Sequence, residues 1–448
     1  VVLLILARLL APEDFGVVAA ATVVISLCQT LADAGMGKAL IQSRKSLEAS
    51  FNAAFWLSLG ISLALSIVIF IAAPAISAFF DDARITYVTR LLAIQVPLTG
   101  LAAVPTALLQ RDLAFRELFL VRLLTAGLPA LASIPMALLG YGYWSLVAAT
   151  VIGQFIQCTV LWFRCHWRPS WKLDGLATIQ LARFGRWSAA SGALTWCYGW
   201  ADSLFVAHWL GTRDMGIYRV SATIANMSFG LVLTPLLPVL YSLYSRKRSA
   251  SFEAGNAMLV TARGITFLSL PLAGWLALAA PIIQTKGLGS DWEGLAPVLA
   301  LLAIGQGVAW LVGANGEAYR AAGRPDLEFM TMALSLAAYL VGYSVSIENG
   351  IIAFAGTRTA LSLVGVALHI LVANRHFGTS IRSWLVVLAK PLLFTAIAGA
   401  TALATDMAME ISRPRLIAAI IFPFVYMILA MTFDRRYIFS IMGRLHGT

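Results

Sequence analysis

Five stretches of this chain contain no Asp, Glu, Lys or Arg: Ala49 to Phe80, Leu91 to Gln110, Leu123 to Phe163, Val220 to Ser245 and Gly264 to Thr285. A bilayer hydrocarbon core about 30 Å thick is crossed by roughly 20 apolar residues in a helix, so each stretch is long enough to span it. The stretch from Leu123 to Phe163 holds two spans, folded back at Gly140-Tyr141-Gly142. Barrel strands would alternate apolar and polar side chains, and these segments do not. Apolar residues make up 60% of the chain and charged residues 12%, against about a quarter charged in soluble domains. The chain is therefore expected to be an all-α integral membrane protein.

Apolar runs bounded by charges or by Gly and Pro turns predict about fourteen spans. The first is truncated, since only about ten apolar residues precede Pro12, and the start of the protein is expected upstream of Val1. The net charge of +11 tests this count. Lys and Arg collect in cytoplasmic loops of membrane proteins, so a basic balance does not call for nucleic acid. With a cytoplasmic N-terminus, the even-numbered connections carry Lys38, Arg44 and Lys45; Arg111, Arg116 and Arg122; Arg164, Arg168, Lys172, Arg183 and Arg186; Arg246, Lys247, Arg248 and Arg263; Arg320 and Arg324; Arg375, Arg382 and Lys390; and Arg435, Arg436 and Arg444. Glu13, Asp14, Asp81, Asp82, Asp214, Asp291, Glu293, Asp406 and Glu410 fall in the odd connections. The asymmetry predicts an N-in, C-in orientation.

The spans are organised as a duplication. Leu10, Asp14 and Gly16 recur in the same phase as Leu210, Asp214 and Gly216. Ala73-Pro74 returns as Ala280-Pro281, Leu91-Leu92-Ala93-Ile94 as Leu301-Leu302-Ala303-Ile304, and the start of Asp112-Leu113-Ala114-Phe115 as Asp326-Leu327-Glu328-Phe329. The offset drifts only from roughly 200 to 214 residues, as small loop insertions would make it drift. Six spans per copy is an even number, so the copies insert in parallel orientation, related by an axis along the membrane normal. The expected divisions are an N-terminal six-helix lobe at 1–163, a cytoplasmic amphipathic connector at 164–186, a C-terminal six-helix lobe at 187–376 and two extra helices at 377–448. In the connector, Trp167, Trp171, Leu173, Leu176, Ile179 and Leu181 interleave with Lys172, Arg183 and Arg186, the composition of a helix lying among headgroups. Pro97, Pro105, Pro129, Pro135, Pro235, Pro238 and Pro271 fall inside spans, where each frees a backbone carbonyl and permits bending.

The opening A-R-L-L-A-P-E-D-F-G, followed by Leu31-Ala32-Asp33-Ala34-Gly35, Ala39-Leu40-Ile41-Gln42 and Ala54-Phe55-Trp56, resembles the first helices of bacterial polysaccharide-repeat-unit flippases. These are of the O-antigen, colanic-acid and exopolysaccharide type, within the multidrug, oligosaccharidyl-lipid and polysaccharide (MOP) exporter superfamily. The similarity continues through Gln110-Arg111-Asp112-Leu113-Ala114-Phe115, Gly140 to Val147, Trp167-Arg168-Pro169, Asp202 and Leu210-Gly211, and beyond about residue 245 rests on topology alone. It implies the fourteen-helix, two-lobed MOP-exporter fold and transport of undecaprenyl-diphosphate-linked oligosaccharide between leaflets. The implied partners are that lipid-linked substrate, membrane lipids and the polymerase and export proteins of a polysaccharide pathway. It also places an Arg at Arg8, in a helix lining the first lobe.

A carrier of an anionic, sugar-bearing headgroup needs cations facing a hydrated cavity, and ionisable residues inside spans usually face such an interior. Arg358, well inside the twelfth span, and Asp202 in the seventh lie at similar expected depth, either paired across the second lobe or holding opposite walls of its cavity. Arg8, Arg90 and Arg219 lie near outer span ends, where they either receive the diphosphate or snorkel to headgroups. Arg111, Arg116, Arg122, Arg263 and Arg320 on the cytoplasmic side either collect anionic lipid or serve as positive-inside anchors. His208 and His369 read as packing residues, Asp14 and Asp214 as cap acids. The cysteines Cys28, Cys158, Cys165 and Cys197 read as small buried hydrophobes. Asp81-Asp82 is a solvated turn before it is a metal-binding pair, and no P-loop is present. The reading is of a transporter, not an enzyme, with no cofactor and a coupling ion left unspecified. A multidrug/cation antiporter on the same fold and a non-transporting component of a polysaccharide synthesis complex stay open as alternatives.

Overall fold

Hydrocarbon offers a peptide group no partner outside the chain, so a segment crossing it must satisfy its own backbone. The computed structural model describes residues 2–33, 40, 47–171, 175–246, 251–408 and 415–434, and these are helical almost throughout, with no strand among them. Of the loop charges used above, Lys38, Arg44, Lys45, Lys172, Lys247, Arg248, Glu410, Arg435, Arg436 and Arg444 lie outside the described residues, as do Ala34, Gly35, Ala39, Ile41, Gln42 and Leu173.

The chain packs as two compact units, Val1–Arg219 and Val220–Thr448. The first holds α1 (Val2–Leu9), α2 (Pro12–Asp33), α3 (Leu47–Phe79), α4 (Arg84–Leu92), α5 (Gln95–Arg111), α6 (Phe115–Leu138), α7 (Tyr143–Arg164), α8 (Gly175–Trp209) and the start of α9 (Gly211–Leu233). The second holds the rest of α9, then α10 (Leu236–Arg246), α11 (Ser251–Ile282), α12 (Leu295–Ala309), α13 (Asn315–Ala321), α14 (Pro325–Ser346), α15 (Gly350–Phe377), α16 (Ile381–Ala408) and α17 (Leu416–Phe433). Among the described residues, 10 helical stretches are long and apolar enough to cross a membrane, or 11 if Gly211–Leu233 and Leu236–Ser245, bent by 49°, form one span. One of the 10, Pro325–Phe377, contains both α14 and α15.

Burial is inverted relative to a soluble protein. In the first unit α2 is enclosed, with Val17, Ala20, Ala21 and Val23 fully buried, and its small side chains let α4, α5 and α8 pack close. Ile71 at 72% exposure and Leu131 at 73% face outward, the arrangement that a hydrocarbon solvent favours. In the second unit Phe229, Tyr244, Met258, Tyr319 and Trp384 form one core, and Phe394, Phe422 and Tyr426 join α16 and α17 to α11 in another. The turn expected at Gly140-Tyr141-Gly142 separates α6 from α7, with both glycines at positive φ, a region that costs other residues a Cβ clash.

The prolines inside spans have a consequence that their number alone does not convey. A proline lacks the N–H that would bond the carbonyl four residues earlier. Three carbonyls so freed are met by a neighbouring helix. Ser66 Oγ donates to Ala93 O, opposite Pro97, at 2.9 Å, beside the bond that carbonyl takes from Val96 N at 3.1 Å; Trp162 Nε1 donates to Leu101 O, opposite Pro105, at 3.2 Å; and Tyr426 Oη donates to Phe267 O, opposite Pro271, at 3.2 Å. Pro97 follows the break between α4 and α5, and Pro235 sits at the bend after α9.

The connector differs from the single headgroup-layer helix expected at 164–186. Residues 165–170 carry no helix, because Pro169 cannot continue one, and Arg168 Nη1 donates to the Cys165 and Trp167 carbonyls where α7 ends. This strap is held on α3. Ser170 N and Oγ bond the Asn52 amide at 2.9 and 2.7 Å, Trp56 Nε1 donates to Ser170 O at 2.9 Å, and Trp171 stacks on Trp56 at 4.3 Å. From Gly175 the chain is already α8, and the packing boundary falls at Arg219, whereas the expected division lies before residue 187.

Tyr426→Phe deletes the donor to the freed Phe267 carbonyl. An unmet buried acceptor costs about 1–3 kcal/mol, so the detergent-solubilised variant is expected to unfold at a lower temperature than the parent. An unchanged thermal midpoint would mean that the phenol is not what satisfies this carbonyl.

Candidate functional site

Gly211, at φ +83°, turns α8 directly into α9, a conformation open to glycine at little cost. Asp202 lies seven residues before the end of α8 at Trp209, and Tyr218 seven residues after Gly211. At 1.5 Å per residue both sit about 10 Å from the turn, so the hairpin brings them to one level. Tyr218 Oη donates to Asp202 Oδ2 at 2.8 Å, while Ser203 N and Oγ donate to Oδ1 at 2.6 and 3.2 Å. Asp202 is 6% exposed and Tyr218 fully buried, so this contact lies away from water. One residue on, the Arg219 guanidinium lies 3.8 Å from the centre of the Trp200 ring. A cation desolvated against an indole face gains electrostatically from the ring quadrupole.

Arg90 lies on α4, six residues from its start, a similar distance from the acidic-loop end. Its guanidinium carbon is 5.2 Å from the Phe70 ring centre, and its Nε is buried with no hydrogen-bond partner among the described residues. Arg8 is exposed in the last turn of α1, which packs on α6. Arg358 is half-buried on α15, in the second unit, whereas Asp202 belongs to the first. Of the sequence candidates, the hairpin thus collects Asp202 and Arg219. Trp200 and Tyr218, which hold them, are not singled out by sequence reasoning; the available signal was their spacing about Gly211.

The candidates expected on the cytoplasmic side divide into two groups. Arg111 lies 5.7 Å from the Phe51 ring centre, and Arg116 and Arg122 are exposed. Arg263 pairs with the buried Asp434, which also takes Lys390 Nζ at 3.2 Å. Arg320 reaches Glu317 at 2.6 Å and Glu328 at 3.5 Å. Arg263 and Arg320 are therefore partly neutralised by acids of their own unit.

Other sequence candidates take local partners. Asp14 Oδ2 accepts from Ala11 N at 3.2 Å and Oδ1 from Tyr143 N at 3.1 Å, so it caps both the start of α2 and the start of α7. His208 Nδ1 meets Phe79 O at 2.6 Å, and His369 Nδ1 meets Tyr319 Oη at 3.2 Å. Asp82 pairs with Arg84 at 2.7 Å; burial pushes its carboxyl up, but the hydrogen bonds from Arg84 prevail and hold it below the usual carboxylate range. Among the described residues no three His, Cys, Asp or Glu side chains converge as metal ligands would.

Comparison with known proteins places this geometry. Residues 5–297 match the family described as polysaccharide biosynthesis protein. The chain is 27% identical over 306 residues to the succinoglycan biosynthesis transport protein ExoT of Rhizobium meliloti (strain 1021), an alignment that takes in 68% of this chain and 62% of ExoT, so the chain spans about three fifths of that relative's length. Its fold is similar to that of the lipid II flippase MurJ in an inward closed conformation, with a TM-score of 0.78 and 15% identity over 98% of this chain and 97% of MurJ. It is also similar to an inward-facing multidrug resistance MATE family transporter of the MOP superfamily, with a TM-score of 0.65 and 14% identity over 85% and 94% of the two chains. The architecture is that of the MOP exporters, and by a match covering well over half its length the chain belongs to the polysaccharide biosynthesis protein family.

Proposed function

We propose that this protein flips an undecaprenyl-diphosphate-linked oligosaccharide across the bacterial inner membrane for exopolysaccharide or O-antigen assembly. The observation that carries the reading is the placement of Asp202, Arg219 and Arg90 about 9 to 12 Å inside apolar helices, where ionisable groups are costly unless they face a polar path. An acid alone would suit a cation. Two guanidiniums on aromatic rings suit a diphosphate, and rings beside them suit sugars. The related proteins narrow the class: one is named for lipid flipping and another for transport in polysaccharide biosynthesis, and a lipid bearing an oligosaccharide satisfies both names.

Transport proceeds by alternating exposure of this polar path. The two sequence repeats move against one another, with N- and C-termini cytoplasmic and the acidic connections outside. In this scheme Asp202 and Arg358 are path residues on separate helices, and Arg8 meets the diphosphate near the outer leaflet. The reading needs no bound cofactor.

Charge reversal in Arg358→Glu is expected to abolish polysaccharide export and leave lipid-linked repeat unit in the cytoplasmic leaflet, with the protein still in the membrane. Full export from that variant would overturn the assignment. Arg219→Gln removes the stacked cation, worth about 2 kcal/mol when desolvated, so export should fall by roughly thirtyfold. Arg219→Lys keeps the charge without the planar stack and should fall between the two. Equal export from all three proteins would detach Arg219 from the substrate path.

A further inference from the structure

We infer that the duplicated Leu-x-x-x-Asp-x-Gly motif is the protein's outer gate, and that its two copies close the acidic-loop end by meeting each other. The inference rests on the transport reading above and adds the residues that shut one side. The motif occupies the turn from α1 into α2, with Leu10, Asp14 and Gly16, and the turn from α8 into α9, with Leu210, Asp214 and Gly216. In the structure these turns are in contact inside the first unit. A Cβ added at Gly16 would come within 3.0 Å of the Thr212 backbone, and one added at Gly216 would meet the Pro12 carbonyl and lie 3.1 Å from Gly16 N. The relation is reciprocal: each copy's glycine faces the first turn of the other copy's helix.

Three polar ties surround this backbone contact. Arg213 Nη1 meets Glu13 Oε1 at 3.2 Å, the Thr212 side chain helps hold the Asp82 carboxyl low, and His208 Nδ1 meets Phe79 O with its ring stacked 4.2 Å from that of Phe79. The tip of the α8–α9 hairpin is thus seated on the tips of α1–α2 and α3–α4. On the other side of the seam the joints are firmer, because Asp14 is bonded both to its own helix start and to that of α7.

The seam has the properties of a contact built to open. Helices meeting through glycine backbones part without unpicking interlocked side chains. The Glu13–Arg213 pair is solvent-exposed, and such pairs hold weakly, so closed and open states stay close in free energy. Deeper in the membrane Trp196 Nε1 of α8 donates to Ser26 Oγ of α2 at 2.8 Å, a lower contact about which the hairpin swings. The gate also explains the packing boundary: α8 and the start of α9 belong to the second sequence repeat, yet they pack with the first unit because this seam holds them there.

Ala20 lies one turn below Gly16 on the same face of α2 and is fully buried, which makes it the reporter. The full-length protein, with Cys28, Cys158, Cys165 and Cys197 replaced by Ser or Ala and Ala20→Cys introduced, is treated in cells with a membrane-impermeant maleimide. Labelling should be slow. Glu13→Arg sets two cations against each other and should speed labelling roughly five- to tenfold, and Glu13→Arg with Arg213→Glu should restore protection. Gly16→Val, which fills the backbone contact, should speed labelling in the same way. Labelling indifferent to Glu13→Arg and to Gly16→Val, or unrescued by the exchanged pair, overturns the gate. The readout is independent of substrate. Labelling that responds while Arg358→Glu exports normally defeats the substrate reading alone, whereas blocked export with unresponsive labelling defeats the gate alone.

Discussion

Everything in this structure follows from a solvent that cannot accept or donate a hydrogen bond. A peptide group left unpaired in hydrocarbon has no water to turn to, so the chain is helical wherever it crosses, and each interruption needs a partner supplied by the protein itself. The prolines make this concrete. Pro97, Pro105 and Pro271 each release one carbonyl, and Ser66, Trp162 and Tyr426 on neighbouring helices receive it. Bends in the spans are consequently also points of attachment between helices, and a helix can be curved without leaving the bundle.

The same constraint governs the charges. An ionised side chain beyond the reach of headgroups is tolerated where something compensates it, and the α8–α9 hairpin provides the compensation through Tyr218 and Ser203 for Asp202 and through Trp200 for Arg219. Arg90 is treated differently, with an aromatic face on one side and a buried nitrogen that no described residue meets. Near the cytoplasmic end, Asp434 gathers Arg263 and Lys390 and ties α17 and α16 to α11. Charge there serves cohesion among helices, whereas between α8 and α9 it is held by aromatic and hydroxyl groups of the hairpin itself.

A motif that occurs twice in one chain gains a particular economy from these conditions. One turn with a small residue in the right phase, copied, can recognise its own copy, because two helix starts bearing glycine present complementary backbone surfaces.

The sequence by itself determined the solvent, the helical class, the positions of most spans, the Gly140 to Gly142 turn and the sign of charge at each end, since all of these depend on local composition and on runs of neighbouring residues. It also carries the twice-occurring Leu-x-x-x-Asp-x-Gly motif and marks Asp202, Arg219, Arg90 and Arg358 as ionisable residues in apolar surroundings. Tertiary structure decided the partners. That Tyr218 holds Asp202, that Trp200 covers Arg219, that Pro169 turns the expected connector helix into a strap on Asn52 and Trp56, and that Gly16 and Gly216 confront each other's helices all depend on how helices lie side by side. Apolar periodicity reports only whether a residue is near lipid or protein; in a solvent as apolar as the side chains themselves, close packing and hydrogen bonds between distant segments choose which helix meets which.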